Sequence, residues 1–510
     1  MNPTFAEEPE HIGEIRRQLR RFVAAKMPRE KRREWDRNHC WPRDLFRELA
    51  DMGFIGLTIP EAHGGSGVDL VAAVAVIEEL CQGGPFLAGP YIHAAFYGGM
   101  NLTENGSPEQ QAALLPRIAR GEVLLSYGLS EPNVGGDLAS VETRAERHGD
   151  DIVVNGTKRW CTGADWADYI YCLVRSGPET ERHRNLTFLL IPTDAPGITM
   201  QPIEHANLRY TASMDVFFDA VRVPETAIVG GPALWNQGWK LLTGRALDVE
   251  KIEITAVAYG IARAAVEEAW SYAQERVQFG RPIAQHQAIR HKLVTAKTQL
   301  QAARHMLYHA AWLANAGQPC AVETAMAKLF VADVGVAIAL TCQQVMGAYA
   351  LSDAYDMDRH VRDLLGMPIV GGSSDMQKNN PGGDAEAVAA GARCPPAFAH
   401  YSAARRCAEA GIALHRTRQR RAGRFQASTV TASRARVMPV ARSVRASAAA
   451  DPLRAQAARC IRCPGSCAVM ANALSWSAMR TADASAGRLR CGTTREGGRR
   501  HRAGTHRRRH

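Results

Sequence analysis

Residues 381–510 contain no lysine, although arginine is frequent there, and only four aromatics, Phe398, Tyr401, Phe425 and Trp476. Such a stretch buries too little apolar surface to offset the entropy of ordering it, and no helical or strand period of apolar residues runs through it. A packed domain is therefore excluded, and the segment is expected to be a disordered, Arg/Ala-rich basic tail. A selected basic arm ordinarily mixes Lys with Arg. The composition therefore points to loss of the reading frame of a GC-rich gene near Asn380, with a natural disordered basic extension as the alternative, and the gene decides between the two: an intact alternative frame continuing a helical pattern supports the frameshift.

Other absences narrow the class. Residues 1–30 hold no apolar signal-like stretch, and no uninterrupted run of about 18 apolar residues occurs, so a soluble, cytoplasmic protein with no membrane contact is expected. Twelve cysteines are scattered without a spacing framework, which reads as reduced thiols rather than disulfides. Cys460, Cys463 and Cys467 in "CIRCPGSC" have a metal-like spacing but no fourth ligand, so no metal is expected. There is no Walker-type loop, zinc-protease helix or serine nucleophile elbow. The net charge of +11 raises nucleic-acid binding, but the positive excess is confined to the tail, and residues 1–380 carry more Asp and Glu than Lys and Arg. Electrostatic nucleic-acid binding through the tail is thus the reading from another class, which salt-dependent binding by the tail would support.

At 510 residues and 46% hydrophobic, the chain is long enough for roughly two to four domains. Residues 1–122 are helical in pattern, as in "IGEIRRQLRRFVAAKM", broken by the Gly/Pro-containing "IPEAHGGSGVDL". Residues 123–237 switch to a period of two, with "DYIYCLVRSG", "LTFLLIPTD" and "MDVFFDAVRVP" as strands, and Asn155-Gly156 in "DDIVVNGTKRWC" predicts a hairpin turn. Residues 238–380 return to long helices, as in "LDVEKIEITAVAYGIARAAVEEAWSYAQERV". Helices, then strands, then helices give an α+β chain.

Five stretches, "YGLSEPNVGGDLAS" (127–140), "NGTKRWCTGADWAD" (155–168), "VFFDAVRVP" (216–224), "ERVQFGRPIAQHQ" (275–287) and "QQVMGAY" (343–349), occur in the order and spacing of the acyl-CoA dehydrogenase family. Residues 10–380 resemble that family over essentially their whole length. The resemblance implies an N-terminal α-helical domain, a central β-barrel-like domain, a C-terminal four-helix bundle, bound FAD and a homo-oligomer, a dimer or tetramer. It also implies an acyl-CoA substrate and an electron-transfer flavoprotein as partner.

Site residues follow from the same match. Gly135 and Gly136 let backbone approach a ligand, and Leu129 and Ser130 offer main-chain or hydroxyl donors. With Tyr127 these are implied flavin neighbours, and Gly136 stands where the family has a serine that contacts acyl-CoA. Trp160 is implied to cover the flavin and Thr162 to hydrogen-bond its N5. Arg276, Phe279 and Gln287 match positions that bind the FAD of a neighbouring subunit. Gln344 and Gly347 match its glycine-rich turn, where Ala348 and Ala350 replace glycines, and Ser373 and Asp375 complete the cofactor set. Taken singly, each has a plainer reading: a core Trp, a strand Thr, a solvated Arg at a helix end.

Dehydrogenating an acyl thioester requires a base for the α-proton. In many family members a Glu stands in the loop matching "PIVGGSS"; here that position is Gly371. Other branches, the isovaleryl-CoA and long-chain enzymes, carry the base on an earlier helix, and the matching stretch "ALDVEKIE" puts Glu250 there. Glu253 and Asp248 remain competitors for the role. Asp248, Lys251, Gly136 and Gly371 are implied substrate neighbours. A rival within the fold is a non-catalytic or half-site subunit of a heteromeric dehydrogenase.

Overall fold

In the computed structural model, residues 8–379 are described; the basic tail, its frame-loss alternative and the Cys460–Cys467 cluster lie outside the described residues. The N-terminal region is helical: α1 (Glu10–Lys26), α2 (Arg29–Arg37), α3 (Arg43–Asp51), α4 (Leu70–Gln82), α5 (Ala88–Ile92), α6 (Asn101–Asn105) and α7 (Pro108–Ala119). Local chemistry sets several boundaries. The Asp69 carboxylate accepts the Ala72 N–H at 2.9 Å and caps α4, while Ser107 and Gln110 form a capping box with Pro108 opening α7. Between α5 and α6 the chain winds as a π-helix over His93–Met100, a rare geometry found mostly at functional sites.

Seven strands follow: β1 (Leu125–Gly128), β2 (Arg144–His148), β3 (Asp151–Thr162), β4 (Tyr169–Arg175), β5 (Leu186–Pro192), β6 (Ile198–Ile203) and β7 (Ser213–Pro224). They form one curled sheet in the order β1-β4-β2-β3-β7-β6, with β5 on the other side of β4. The inward residues of β2, β3, β4, β5 and β7 make a separate core, including Ile152, Val154, Ile170, Leu189 and Val216. The hairpin turn expected at Asn155-Gly156 is not there. β3 runs straight through that dipeptide, and β2 instead turns into β3 at Gly149-Asp150, where His148 pairs with Asp151. Asn155-Gly156 marks a register shift against β7, in which the Asn155 side chain accepts the Ala220 N–H at 2.8 Å. The pair's turn-like chemistry is used for a bulge rather than a turn.

The C-terminal region comprises α8 (Gly238–Leu242), α9 (Arg245–Glu275), a small hairpin of β8 (Val277–Gln278) and β9 (Arg281–Pro282), then α10 (Gln287–Asn315), α11 (Ala321–Met346) and α12 (Met357–Leu365). Helix α9 packs against α4, α10, α11 and α12. The stretch Ala321–Leu351, which contains α11, is by length and composition apolar enough to cross a membrane, with a mean hydropathy of 1.8. Here α11 is a bundle helix packed on α9, α10 and α12, and Ala325, Val331, Ile338 and Cys342 on it are buried.

A buried ionic cluster ties the two helical regions together. Arg16 Nη1 lies 2.8 Å from carboxylate oxygens of both Glu78 and Glu79, and Arg263 Nη1 reaches the same two residues at 2.7 and 3.0 Å. The Tyr308 hydroxyl donates to Glu78 at 2.6 Å. Burial raises the Glu79 pKa, but Arg20, Arg263 and Arg16 outweigh it and hold it at about 2. The cluster joins α1, α4, α9 and α10, so the helices that carry the site cannot separate without exposing unpaired charge.

Gly156 has φ +144°, and a Cβ there would stand 2.7 Å from Thr143 Cα. Gly156→Ala should therefore cost stability through backbone strain and this clash, about 1–3 kcal/mol or more. Chemical denaturation measures it, and an unchanged midpoint would contradict the close approach of β2 to β3.

Candidate active site

The start of α9 reads "LDVEKIEI", and its apolar residues Val249 and Ile252 are buried. That face is set against the core, so the polar residues between them are drawn in as well. Lys251 is buried and reaches Asp248 Oδ1 at 3.0 Å. Glu250 is partly open to a pocket and shares its wall with Tyr127 and Leu129 from the end of β1. Tyr171 of β4, Phe188 of β5 and Asn101 of α6 line the same pocket, and Leu241, Leu242 and Leu247 close its α8–α9 side. Tyr127 stacks on Tyr97 of the π-helix, with ring centroids 3.9 Å apart. Asn101 Nδ2 fixes both, donating to the Tyr127 hydroxyl at 2.5 Å and the Tyr97 carbonyl at 3.1 Å.

The three acidic competitors are separated by environment. Asp248 is paired with Lys251. Burial pushes the Glu250 carboxyl up to about 7, with Lys251 opposing. Glu253 is 0% exposed, and neither of its carboxyl oxygens has a hydrogen-bond partner. Burial, reinforced by the like charge of Glu250, raises its pKa well above the usual carboxylate range. Gly371 lies over the same helix, where a Cβ would stand 3.0 Å from Ile254 Cγ1. Its φ of +62° disfavours any side chain, so this position holds backbone against α9 one turn beyond Glu250.

The residues expected to face the flavin lie on β3 and on the loop that β3 holds after β1. A register shift between Lys158 and Cys161 puts an extra residue into β3 and holds Trp160 at φ +62°, a strained conformation for a non-glycine residue. Its indole is 51% exposed, with the Arg159 guanidinium 5.5 Å from the ring centre. Thr162 Oγ1 is 2.9 Å from Ser213 Oγ.

The loop after β1 is held from beneath. Lys158 Nζ donates to the Leu129 carbonyl at 3.0 Å and to Glu131 at 2.8 Å, and the Arg159 N–H donates to the Ser130 carbonyl at 2.8 Å. Glu131 also accepts the Glu142 and Thr143 N–H groups at 2.6 and 2.9 Å. Burial raises the Glu131 pKa, but Lys158 and these N–H groups outweigh it and leave it lowered. Gly135 faces open space, and a Cβ at Gly136 would come within 3.3 Å of Met376 Sδ, so this loop touches the segment after "IVGG". Ser373 Oγ accepts the Met376 N–H at 3.2 Å and caps the helical turn that begins at 374. Asp375 faces out and pairs with Lys378 at 2.8 Å.

An exposed, strained indole, an open glycine edge and a hydroxyl at Thr162 are what a flat isoalloxazine needs: a stacking surface, close backbone approach and a hydrogen-bonding group. These residues fit FAD. The remaining predicted cofactor residues lie elsewhere. Arg276 follows the far end of α9, about 39 Å from Glu250 at 1.5 Å per residue, with its guanidinium 5.3 Å from the Tyr349 ring centre. Phe279 sits at the tip of the β8–β9 hairpin and is 95% exposed. Gln287 opens α10, Gln344 accepts from Lys292 at 3.0 Å, and Gly347 has φ +63° with no atom near its missing side chain. The structure thus sets Arg276 and its neighbours Phe279 and Gln287 beyond the opposite end of α9 from Glu250.

Sequence reasoning missed Glu131 and Lys158, although both lie within quoted stretches. The usable signal was strand phase: Lys158 shares the inward alternation of the buried Ile152 and Val154. Asn101, Tyr97, Tyr171 and Phe188 carried no such signal, because the π-helix and the strand crossings that gather them are tertiary.

Comparison with known proteins accords with this geometry. The chain matches the acyl-CoA dehydrogenase N-terminal domain over residues 9–122, the middle domain over 126–221 and the C-terminal domain over 236–382. Benzylmalonyl-CoA dehydrogenase of Aromatoleum aromaticum is 35% identical over 344 residues, 67% of this chain and 89% of that protein. (2S)-Methylsuccinyl-CoA dehydrogenase of Cereibacter sphaeroides is 34% identical over 383 residues, 72% of this chain and 68% of that protein. The structure of butyryl-CoA dehydrogenase from Megasphaera elsdenii superposes with a TM-score of 0.71 at 27% identity, covering 74% of this chain and 99% of the other. With helical, curled-sheet and helical regions in that order, and all three domain matches in register, the chain belongs to the acyl-CoA dehydrogenase family of FAD-dependent oxidoreductases.

Proposed function

We propose that the protein converts an acyl-CoA to its trans-2,3-enoyl-CoA, with Glu250 as the base that takes the α-proton. The observation that carries this reading is a carboxyl on the wall of a pocket shared by β1, β4, β5 and α9, where burial pushes it up to about 7. A general base works best with a pKa near the working pH, and ordinary surface carboxylates lie far below it. Asp248 is engaged by Lys251, and Glu253 is sealed from the pocket side open to Glu250.

FAD, when bound, supplies the acceptor for the β-hydrogen and its electron pair. The chain's own residues do the rest. Trp160, Thr162, Leu129 and Ser130 would hold the isoalloxazine, while Tyr127 and the leucines of α8–α9 would exclude water from the acyl carbons. The Gly371 N–H is available to polarise the thioester carbonyl without a side chain. Benzylmalonyl-CoA and (2S)-methylsuccinyl-CoA dehydrogenases, by name, act on acyl thioesters of coenzyme A, which supports the substrate class. Transfer to an electron-transfer flavoprotein follows from the family resemblance. Homo-oligomerisation is supported by the distance of Arg276, Phe279 and Gln287 from Glu250, since these residues would reach the cofactor of a second copy.

Glu250→Gln preserves shape and removes the proton acceptor. Flavin should remain bound while its reduction by acyl-CoA, followed by stopped-flow absorbance, slows by roughly 10²-fold or more; retained speed would move the base elsewhere. The pH profile gives a second check. Glu250 must be ionised to act, so kcat/KM should rise with pH, reach half its plateau near pH 7 and level above it, and the Gln variant should lose that limb. A limb near pH 4 would mean an ordinary exposed carboxylate is at work.

A further inference from the structure

Three of the residues that line the pocket with Glu250 are aromatic, Tyr127, Tyr171 and Phe188. They stand in one continuous run of rings, with centroids 5.7 Å apart from Tyr127 to Tyr171 and 4.7 Å apart from Tyr171 to Phe188. Glu250 and Leu129 are partly exposed, whereas Tyr171 and Phe188 are each only 3% exposed, so these two rings lie at the closed end of the pocket.

The run of rings continues behind the pocket and gives the wall no room to retreat. Tyr127 stacks on Tyr97, Tyr97 meets His93 at 4.9 Å, His93 meets Trp166 at 4.6 Å, and Trp166 meets Trp41 at 5.1 Å. Hydrogen bonds pin the same rings. Asn101 donates to the Tyr127 hydroxyl and to the Tyr97 carbonyl, and His93 Nδ1 donates to the Leu125 carbonyl at 2.8 Å. A close-packed interior of this kind does not open to admit extra methylenes without strain. The space itself is small. It amounts to about 260 Å3, part of it open to solvent, below the range of about 300–1,000 Å3 usual for small-molecule sites. At roughly 30 Å3 for each water-sized group, it holds about nine non-hydrogen atoms, and once the thioester is seated this leaves room for an acyl chain of about six carbons or fewer.

Resting on the reading of this pocket as the acyl site, we infer that the protein is selective for short acyl-CoA thioesters, of about six carbons or fewer, and that Tyr171 and Phe188 are the specificity-determining residues that set the limit. A longer chain meets the two buried rings before its thioester reaches Glu250. The expected discrimination is about tenfold or more, because even one methylene in an apolar pocket is worth that much.

The test uses full-length, flavin-loaded protein and a saturated series of butanoyl-, hexanoyl-, octanoyl- and dodecanoyl-CoA. Non-oxidisable 3-thia versions serve for calorimetry and the oxidisable series for kcat/KM. Wild type should bind and turn over the best of the two shorter members about tenfold or more better than octanoyl-CoA, and dodecanoyl-CoA more weakly still. Phe188→Ala removes a ring from the closed end and should raise the octanoyl-to-butanoyl ratio about tenfold; Phe188→Leu, a milder truncation, should raise it less. Binding of the octanoyl member by wild type as tight as that of the shorter ones overturns the inference even if neither variant folds, as does an unchanged ratio in a folded Phe188→Ala protein. Wild type that turns over no acyl-CoA sinks the reading of Glu250 as base, while the binding order of the 3-thia series still decides the chain-length limit. Binding of no member of that series overturns both.

Discussion

Helix α9 is hemmed in by α4, α10, α11 and α12, and this confinement governs the rest of the molecule. A polar group on a helix so enclosed must find a partner, reach a cavity or give up its charge. Most find partners. Arg263 engages Glu78 and Glu79 of α4, Glu268 accepts the Asp356 N–H at 3.0 Å, Lys251 pairs with Asp248, and the Thr255 hydroxyl donates to the Lys251 carbonyl. Glu250 and Glu253 depart from this pattern, the first by lining the pocket and the second by sitting unpartnered beside it.

The opposite wall depends on a second buried interaction. Lys158 and Glu131, joined at 2.8 Å with Lys158 fully buried, tie β3 to the loop after β1. Removing one partner of such a pair costs about 3–5 kcal/mol, because the other charge is left buried. Its value here is positional: from two residues before the strained Trp160, Lys158 fixes the Leu129 carbonyl. The proposed base and the proposed cofactor surface are therefore held by separate elements, α9 and β3, with Gly371 close to Ile254 of α9 and Met376 close to Gly136 of the loop that β3 holds.

Much of this was legible in the sequence. The switch from a 3.6-residue to a two-residue period and back gives helices, sheet and helices, because each region buries one face and the spacing of apolar residues records which. Asn155-Gly156 misled because its tolerance for unusual backbone serves bulges as well as turns, and pairing with β7 decides between them. The choice among Asp248, Glu250 and Glu253 was not legible either. Three acids within two turns differ only in which neighbours the fold brings: Lys251 for the first, an open pocket for the second, and a fully buried position without a hydrogen-bond partner for the third. The π-helix that delivers Tyr97 has no sequence signature comparable to a cap or a turn.

The central claim is that Glu250, and not its neighbour, removes the α-proton. Exchange isolates that step. A 3-thia-acyl-CoA cannot lose a β-hydride, so in D2O the flavin-loaded protein can only take and return its α-hydrogens, and mass spectrometry counts the deuterium incorporated. Wild type and Glu253→Gln should both catalyse the exchange, whereas Glu250→Gln, with flavin and ligand bound, should show only the uncatalysed rate. Exchange that persists in Glu250→Gln and disappears in Glu253→Gln would contradict the account.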